Sequence, residues 1–253
     1  MNITGNTIFI PGATSGIGLA LARRLQAKGN TVVIGGRRTE LLATLAAEHG
    51  FDTVRIDTAD AESIRAAATE VLDKHPDLNV VVAMAGIMRV EDWHRAEGFL
   101  ASAEEVVTTN VLGPIRLLGA FLEHLITRPD ATIVTVSSGL AFAPLKATPS
   151  YNASKAAIHM LSESLRLQLA DTVVRVLELV PPAVRTGLLP GQEDSEFAMP
   201  LDEFADEVIA LLDSQPEAEE IQVERVKFLR YGEARGDYDQ VVAALNAADP
   251  HGK

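Results

Sequence analysis

The sequence predicts an α/β fold, a three-layer doubly wound parallel sheet of about seven strands forming one domain over residues 1–253. Short β-branched runs alternate with longer amphipathic stretches from the first residues to about Val226, the rhythm of strands joined by crossover helices. The runs are brief and apolar, as strands covered on both faces are. The first of them leads directly into a glycine-rich turn, Pro11-Gly12-Ala13-Thr14-Ser15-Gly16-Ile17-Gly18.

Taken in order, Thr7–Ile10 is the first expected strand, and the stretch from Gly18 to Lys28 carries helical spacing and good helix formers. Strands are then expected at Thr31–Ile34, Thr53–Ile56, Asn79–Ala83, Thr132–Val136 and Val173–Leu177, with a last one through Ile221–Val226. Between them the spacing predicts helices over Thr39–His49, Ala61–Lys74, Glu104–Ile126 and Tyr151–Leu169. Gly187 to Pro200 breaks the rhythm with glycines and prolines around Leu188, Leu189, Phe197 and Met199, and is expected to be a mobile lid with apolar contacts. The tail 231–253, with Tyr231, Tyr238 and Val241 to Leu245, is longer than the sheet needs and is expected to pack across an interface between subunits.

Composition bounds the function. A hydrophobic fraction of 47% with 23% charged residues is that of a globular chain that folds alone. A net charge of -13 argues against a broad basic surface for nucleic acid or anionic lipid, so neither is an expected partner. The absence of cysteine removes disulfides and thiolate metal ligands, and no metal site is expected. The N-terminus lacks the basic start and apolar run of a signal peptide, and the nearly uncharged run Leu78–Met88 is too short to span a bilayer. A cytoplasmic protein is expected.

The glycine loop opens the first helix, and there its residues bear a dinucleotide's signature. Glycines let the backbone turn tightly and approach a pyrophosphate, while the helix N-terminus offers free N–H groups and the positive end of its dipole. Gly12, Thr14, Ser15, Gly16, Ile17 and Gly18 are the candidates for this contact. After the second strand comes Gly35-Gly36-Arg37-Arg38. An NAD site places an acid there for the ribose hydroxyls, whereas a basic residue accommodates the extra phosphate of NADP. NADP(H) is therefore the expected cofactor, with Arg37 the main contact and Arg38 assisting; NAD(H) is the alternative. Two roles are open to Asp57 at the end of the third strand: acceptor for the adenine amino group, or helix cap together with Asp60.

Tyr151 and Lys155 stand four residues apart at the start of an expected helix, so phenol and ammonium share one face. A nearby cation favours the phenolate, which makes tyrosine a usable general acid or base near neutral pH.

Together, the glycine loop, the mid-chain Asn110, the pair Ser137-Ser138 and Tyr-x-x-x-Lys thirteen residues later resemble the short-chain dehydrogenase/reductase family over roughly residues 3 to 230. The resemblance implies a Rossmann-type fold and a tetrad of Asn110, Ser138, Tyr151 and Lys155. In that scheme Ser138 donates to a substrate carbonyl, Tyr151 supplies the proton, Lys155 lowers the tyrosine's pKa and holds the nicotinamide ribose, and Asn110 positions a water linking Lys155 to solvent. Ala85 and Gly86 border the cofactor, and Val184 and Thr186 of Pro181-Pro182-Ala183-Val184-Arg185-Thr186 contact the carboxamide.

The chain departs from the family pattern in three places. Pro11 replaces a threonine, Ala83-Met84 replaces Asn-Asn, and Pro182 replaces a glycine. The first two departures are expected to compensate through apolar packing of Met84. Ala141 to Leu145 and the lid are expected to wall the substrate pocket. Trp93 and His94 either reach its mouth or form an exposed helix start or interface, and His159 is expected to be a packed interior histidine. The implied activity is NADPH-dependent reduction of a small to medium, partly apolar ketone or aldehyde, or the reverse oxidation. The alternatives are a nucleotide-binding sensor without turnover and an NAD-linked secondary-alcohol dehydrogenase. Family members usually form dimers or tetramers through the helices around Glu104–Ile126 and Tyr151–Leu169.

Overall fold

The computed structural model describes residues 1–248. Seven strands, β1 (Thr7–Pro11), β2 (Thr31–Gly36), β3 (Asp52–Arg55), β4 (Val80–Ala83), β5 (Thr132–Val136), β6 (Arg175–Leu179) and β7 (Glu220–Ile221), form one parallel sheet in the order β3-β2-β1-β4-β5-β6-β7. The order reverses between β1 and β4, and at that switch point the carboxyl ends of the strands open a crevice. Helices α1 (Gly16–Ala27), α2 (Thr39–His49) and α7 (Leu201–Ser214) bury Leu21, Leu25, Leu42, Leu45, Phe204 and Val208 against one face of the sheet. On the other face, α3 (Ala61–Lys74), α5 (Gly113–Ile126) and α6 (Pro149–Gln168) contribute Ile64, Val71, Leu117, Phe121 and Leu165. Each fully buried Leu, Ile or Phe contributes about 1.5–3 kcal/mol, so this two-sided burial dominates the stabilisation.

Helix α4 (Leu100–Val107) runs through a π-helical turn, Thr108–Leu112, into α5. The continuous helix starts one turn before the expected Glu104. It is long and apolar enough to cross a membrane by length and composition. Its residues Leu117, Leu118, Phe121 and Leu125 are buried in the core instead, and the Phe121 ring lies 5.4 Å from Phe9 of β1.

Several expected elements are shifted. The sixth strand runs over Arg175–Leu179, two residues beyond Val173–Leu177, and leaves Val173 exposed. The last strand ends at Ile221. Ile221, Val223 and Val226 are buried while Arg225 faces solvent, a spacing of two and then three that no strand keeps, and Glu224–Val226 turns as a 3₁₀ helix. Helix α7 has no counterpart among the predicted helices, although Phe204, Val208 and Leu212 mark its inward face. It is tied to α1 by Arg24, which meets Asp202 at 3.0 Å and Asp206 at 2.6 Å.

The tail is helical and also packs within its own chain. Helices α8 (Lys227–Arg230), α9 (Gly232–Arg235) and α10 (Tyr238–Ala247) fold back on their own chain. Asn246 Nδ2 donates to Pro144 O at 3.0 Å while its Oδ1 accepts from Lys146 N at 2.6 Å. These bonds lay α10 over the loop between β5 and α6. Residues 249–253 of the expected tail segment lie outside the described residues.

Candidate active site

A cleft of about 670 Å³ runs along the switch point. Gly12, Thr14, Ser15, Gly16, Ile17, Gly18, Arg37, Arg38, Asp57, Ala85, Gly86, Ser138, Tyr151, Lys155, Val184 and Thr186 all line it. Asn110 is the one predicted site residue placed behind the wall.

At the β1 end, Gly12 has φ +87°, and a Cβ there would stand 2.7 Å from the Ala85 Cα. Only glycine permits that approach of the two loops. Ser15 precedes α1 without capping it through its side chain, and the first turn carries no acid, so its N–H groups and positive dipole end are offered to the cleft. Gly12 N donates to Gly35 O at 2.8 Å, which turns the nitrogen of Pro11 towards β4. Proline has no hydrogen to give there, and the β1–β4 ladder stops at Phe9 and Val81. Met84 occupies the region, packing against the core beside Gly18. Met84 thus packs beside the glycine loop that Pro11 opens.

Arg37 and Arg38 flank the cleft where β2 ends. Arg38 Nη2 donates to Thr14 Oγ1 at 3.0 Å, so this guanidinium braces the glycine loop. Asp57 Oδ1 accepts from Ala59 N at 3.0 Å, and the cap of α3 is Asp60, which accepts from Glu62 N at 2.9 Å. Asp57 therefore shapes its own turn while facing the cleft.

Strand β5 and helix α6 position the chemical end. Ser138 follows the end of β5, and its Oγ accepts from Leu140 N at 3.1 Å. Tyr151 and Lys155 lie on the first turns of α6, both buried. Burial pushes the phenol of Tyr151 up to about 12, against a smaller downward pull from the Ser138 side chain. Burial also lowers Lys155 to about 8. The expected depression of the phenol by Lys155 is therefore not produced by the protein's own groups. The ammonium sits 5.5 Å from the Tyr151 ring centroid and donates to Val136 O at 2.8 Å. At neutral pH the phenol carries its proton and can give it.

Asn110 sits in the π-helical turn, buried. Its Oδ1 accepts from Ile87 N at 2.8 Å and its Nδ2 donates to Ile87 O at 2.8 Å and to Ser154 Oγ at 3.1 Å. The side chain clamps the loop after β4 to α6. The widened turn bears that clamp, as π-bulges often do at functional sites.

An apolar cluster packs around Tyr151. Met88, Leu145, Tyr151 and Leu189 form a buried cluster joined by Leu140, Leu188 and Leu245. Of this cluster only Tyr151 and Leu188 line the cleft; none of the expected wall residues Ala141 to Leu145 does, and the lid reaches it through Gly187, Leu188 and Gln192. The segment 187–200 is tied to the chain before it at two points: Val184 bridges to Met199, and Gln192 Nε2 donates to Val184 O at 2.7 Å. Within it Leu189 is buried and Phe197 is exposed. Trp93 and His94 do not line the cleft. Trp93 stacks on Phe99 with centroids 4.0 Å apart, and His94 is exposed beside Asp92. His159 is partly buried, accepts Phe142 edge-on and pairs with the buried carboxylate of Glu178 at 3.0 Å. Glu178 also takes the Ser137 hydroxyl and Arg166 at 3.5 Å.

Residues 6–196 match the family model for short chain dehydrogenases. An uncharacterized oxidoreductase of Bacillus subtilis (strain 168), DltE, is 38% identical over 98% of this chain and 100% of its own length. A short chain dehydrogenase from Burkholderia cenocepacia J2315, solved in complex with NADP, superposes with a TM-score of 0.82 at 26% identity, covering 97% of this chain and 99% of that one. The 3-ketoacyl-(acyl-carrier-protein) reductase from Brucella melitensis, solved with NADH, gives a TM-score of 0.74 at 25% identity over 85% and 93% of the two chains.

Proposed function

The chain belongs to the short-chain dehydrogenase/reductase family of oxidoreductases, and from that premise we propose that it is an NADPH-dependent reductase of ketones or aldehydes, also able to run the reverse oxidation. The observation that carries this reading is the convergence of Ser138, Tyr151 and Lys155 at one end of a cleft whose other end holds the open α1 terminus and two arginines.

The residues present fit a dinucleotide. Gly12 leaves the room that a side chain would fill, α1 offers uncapped N–H groups, and the Arg37 cation lining the cleft where β2 ends supports a 2′-phosphate there, with Arg38 assisting by bracing the glycine loop. The nicotinamide cofactor, when bound, supplies the hydride. Lys155 and the Val184–Thr186 segment would hold its reactive end, and Ala85 and Gly86 would border it.

Ser138 donates to the substrate oxygen and orients it. Tyr151, protonated at neutral pH, delivers the proton as charge develops there. Asn110 holds the Ile87 loop and α6 at fixed distance. Met88, Leu140, Leu145, Leu188, Leu189 and Leu245 exclude water and favour a partly apolar carbonyl compound. The cysteine-free composition supports action in the cytoplasm.

A homodimer or homotetramer is part of the proposal. Leu118, Ile158 and Leu169 are buried in the subunit's own core, whereas Leu112 and Ile115 are exposed together with Val107, Met160 and Leu167. Those exposed side chains on α4, the π-helical turn, α5 and α6 support association through these helices. Light scattering at micromolar concentration tests it, and a monomer rejects it.

The decisive experiment mixes the purified protein with NADPH or NADH and a panel of aldehydes and ketones and follows the reduced cofactor's absorbance. Consumption with NADPH that disappears in Tyr151→Phe establishes the reading. Cofactor binding without turnover of any carbonyl, and no effect of that substitution, makes the protein a sensor instead.

A further inference from the structure

Helix α6 carries Tyr151 and Lys155 within its first turns, yet its N-terminus is poorly provided by its own segment. Pro149 has no N–H, and Thr148 makes no side-chain cap. Thr148, Ser150 and Tyr151 are all buried, so water cannot serve as the missing acceptor. The acceptor comes from the loop after β4. Glu91 Oε2 accepts from Ser150 N at 3.1 Å and from Trp93 Nε1 at 2.9 Å, and Oε1 accepts from Ser102 Oγ at 2.9 Å. Its backbone N donates to Ala147 O at 3.0 Å, immediately before the helix.

Glu91 is buried yet ionised: burial opposes the charge, and the bonds from Trp93, Ser150 and Ser102 outweigh it and hold the carboxyl below its ordinary value. A carboxylate at this place also meets the positive end of the α6 dipole.

We propose that Glu91 is a positioning residue for the proton donor: its carboxylate caps α6 from outside the helix and fixes Tyr151, the residue next to Ser150, against Ser138 and the cleft. The stacked pair Trp93 and Phe99 roofs this carboxylate and keeps it oriented. Glutamine preserves the arrangement, because its Oε1 can accept from Ser150 N and Trp93 while its Nε2 donates to a rotated Ser102 hydroxyl. Alanine removes it. The consequence for turnover rests on Tyr151 acting as proposed above, whereas the cap does not.

Two measurements on wild type, Glu91→Ala and Glu91→Gln separate the claims: amide hydrogen exchange of residues 148–156, and reduction of 4-nitrobenzaldehyde by NADPH. In Glu91→Ala, exchange at Ser150 and Tyr151 is expected to quicken about fivefold to tenfold, the scale of a lost cap. Its kcat should fall about tenfold or more while KM for NADPH moves less than about threefold, because misplacing a reacting group costs chemistry before binding. Glu91→Gln should keep both readouts within about threefold of wild type.

Normal exchange with unchanged kcat in Glu91→Ala overturns the proposal, and so does a loss shared equally by kcat and NADPH affinity, which marks a general fold residue. Should Glu91→Ala not fold, Glu91→Asp, a methylene too short to reach Ser150, is expected to lower kcat with NADPH binding kept, and an unaltered kcat overturns the proposal there. A wild-type protein that binds NADPH but reduces no carbonyl defeats the proposed activity, while the exchange measurement still decides the cap.

Discussion

The Lys155 ammonium lies 5.5 Å from the centroid of the Tyr151 ring and gives its hydrogen bond to the carbonyl of Val136 at 2.8 Å. Both groups are buried, and burial moves both towards their neutral forms, the phenol to about 12 and the amine to about 8. The pair is thus poised to hold a proton on Tyr151 at neutral pH and to keep the ammonium close to its own titration.

Tyr151→Phe tests the proton donor. It should lower kcat for carbonyl reduction by about 10²-fold to 10⁴-fold, the usual worth of a positioned general acid, and leave NADPH affinity within about threefold. Stopped-flow single turnovers that proceed at the wild-type rate in this variant would remove Tyr151 from the chemistry.

Lys155→Met tests the buried amine through stability. The folded value lies below the free value of 10.5, so the charged form is disfavoured in the native state. That cost is present in full below pH 8 and fades as the pH rises from about 8 to 10.5, where the unfolded chain holds more protons. The wild type should gain on the order of 3 kcal/mol from this group across the window. Lys155→Met should lack the gain, and below pH 8 it should be the more stable protein, less about 1 kcal/mol for the bond to Val136. Tyr151 acts oppositely at higher pH. Its raised value stabilises the fold below pH 10, and that contribution is lost as pH rises towards 12. Urea midpoints for both proteins between pH 7 and 10 check the sign; parallel curves contradict it.

Arg37→Ala tests cofactor choice. A guanidinium facing a 2′-phosphate forms charge-assisted bonds of about 1.5–3 kcal/mol each, so the variant should lose about tenfold to a hundredfold in NADPH affinity with NADH little changed. Arg38 is engaged with Thr14, and Arg38→Ala should weaken both dinucleotides similarly by loosening the glycine loop. Unchanged NADPH binding in Arg37→Ala leaves an NAD-linked dehydrogenase as the better reading.

Asn246→Ala tests the tail as a pocket wall. Losing the bonds to Pro144 and Lys146 removes about 1–2 kcal/mol of docking from α10 and withdraws Leu245 from the cluster around Tyr151. The KM of bulky apolar carbonyl compounds should change more than that of short ones, with NADPH affinity kept. Equal effects on large and small substrates would place α10 away from the substrate.

Much of the site was legible because its signals are local. Tyr151 and Lys155 share a face by helix geometry alone, and the glycine loop announces itself by adjacency to a strand. Glu91 carried no such signal: it resembles any surface acid in Val90-Glu91-Asp92, and its partner Ser150 is 59 residues away. Helix α7 was legible in principle, since Phe204, Val208 and Leu212 keep helical spacing.

The order of apolar runs and turns was enough to predict the α/β class and the strands from β1 to β6 within a residue or two, because periodicity and backbone chemistry act over a few residues; Ser138, Val184 and Thr186 were reached only through the family resemblance. Tertiary packing decided where the last strand stops, that α10 lies over the loop between β5 and α6, that the Glu91 carboxylate meets Ser150 at the start of α6, and in which direction Tyr151 and Lys155 titrate. Burial and long-range hydrogen bonds set those outcomes, and neither exists until distant segments are brought together.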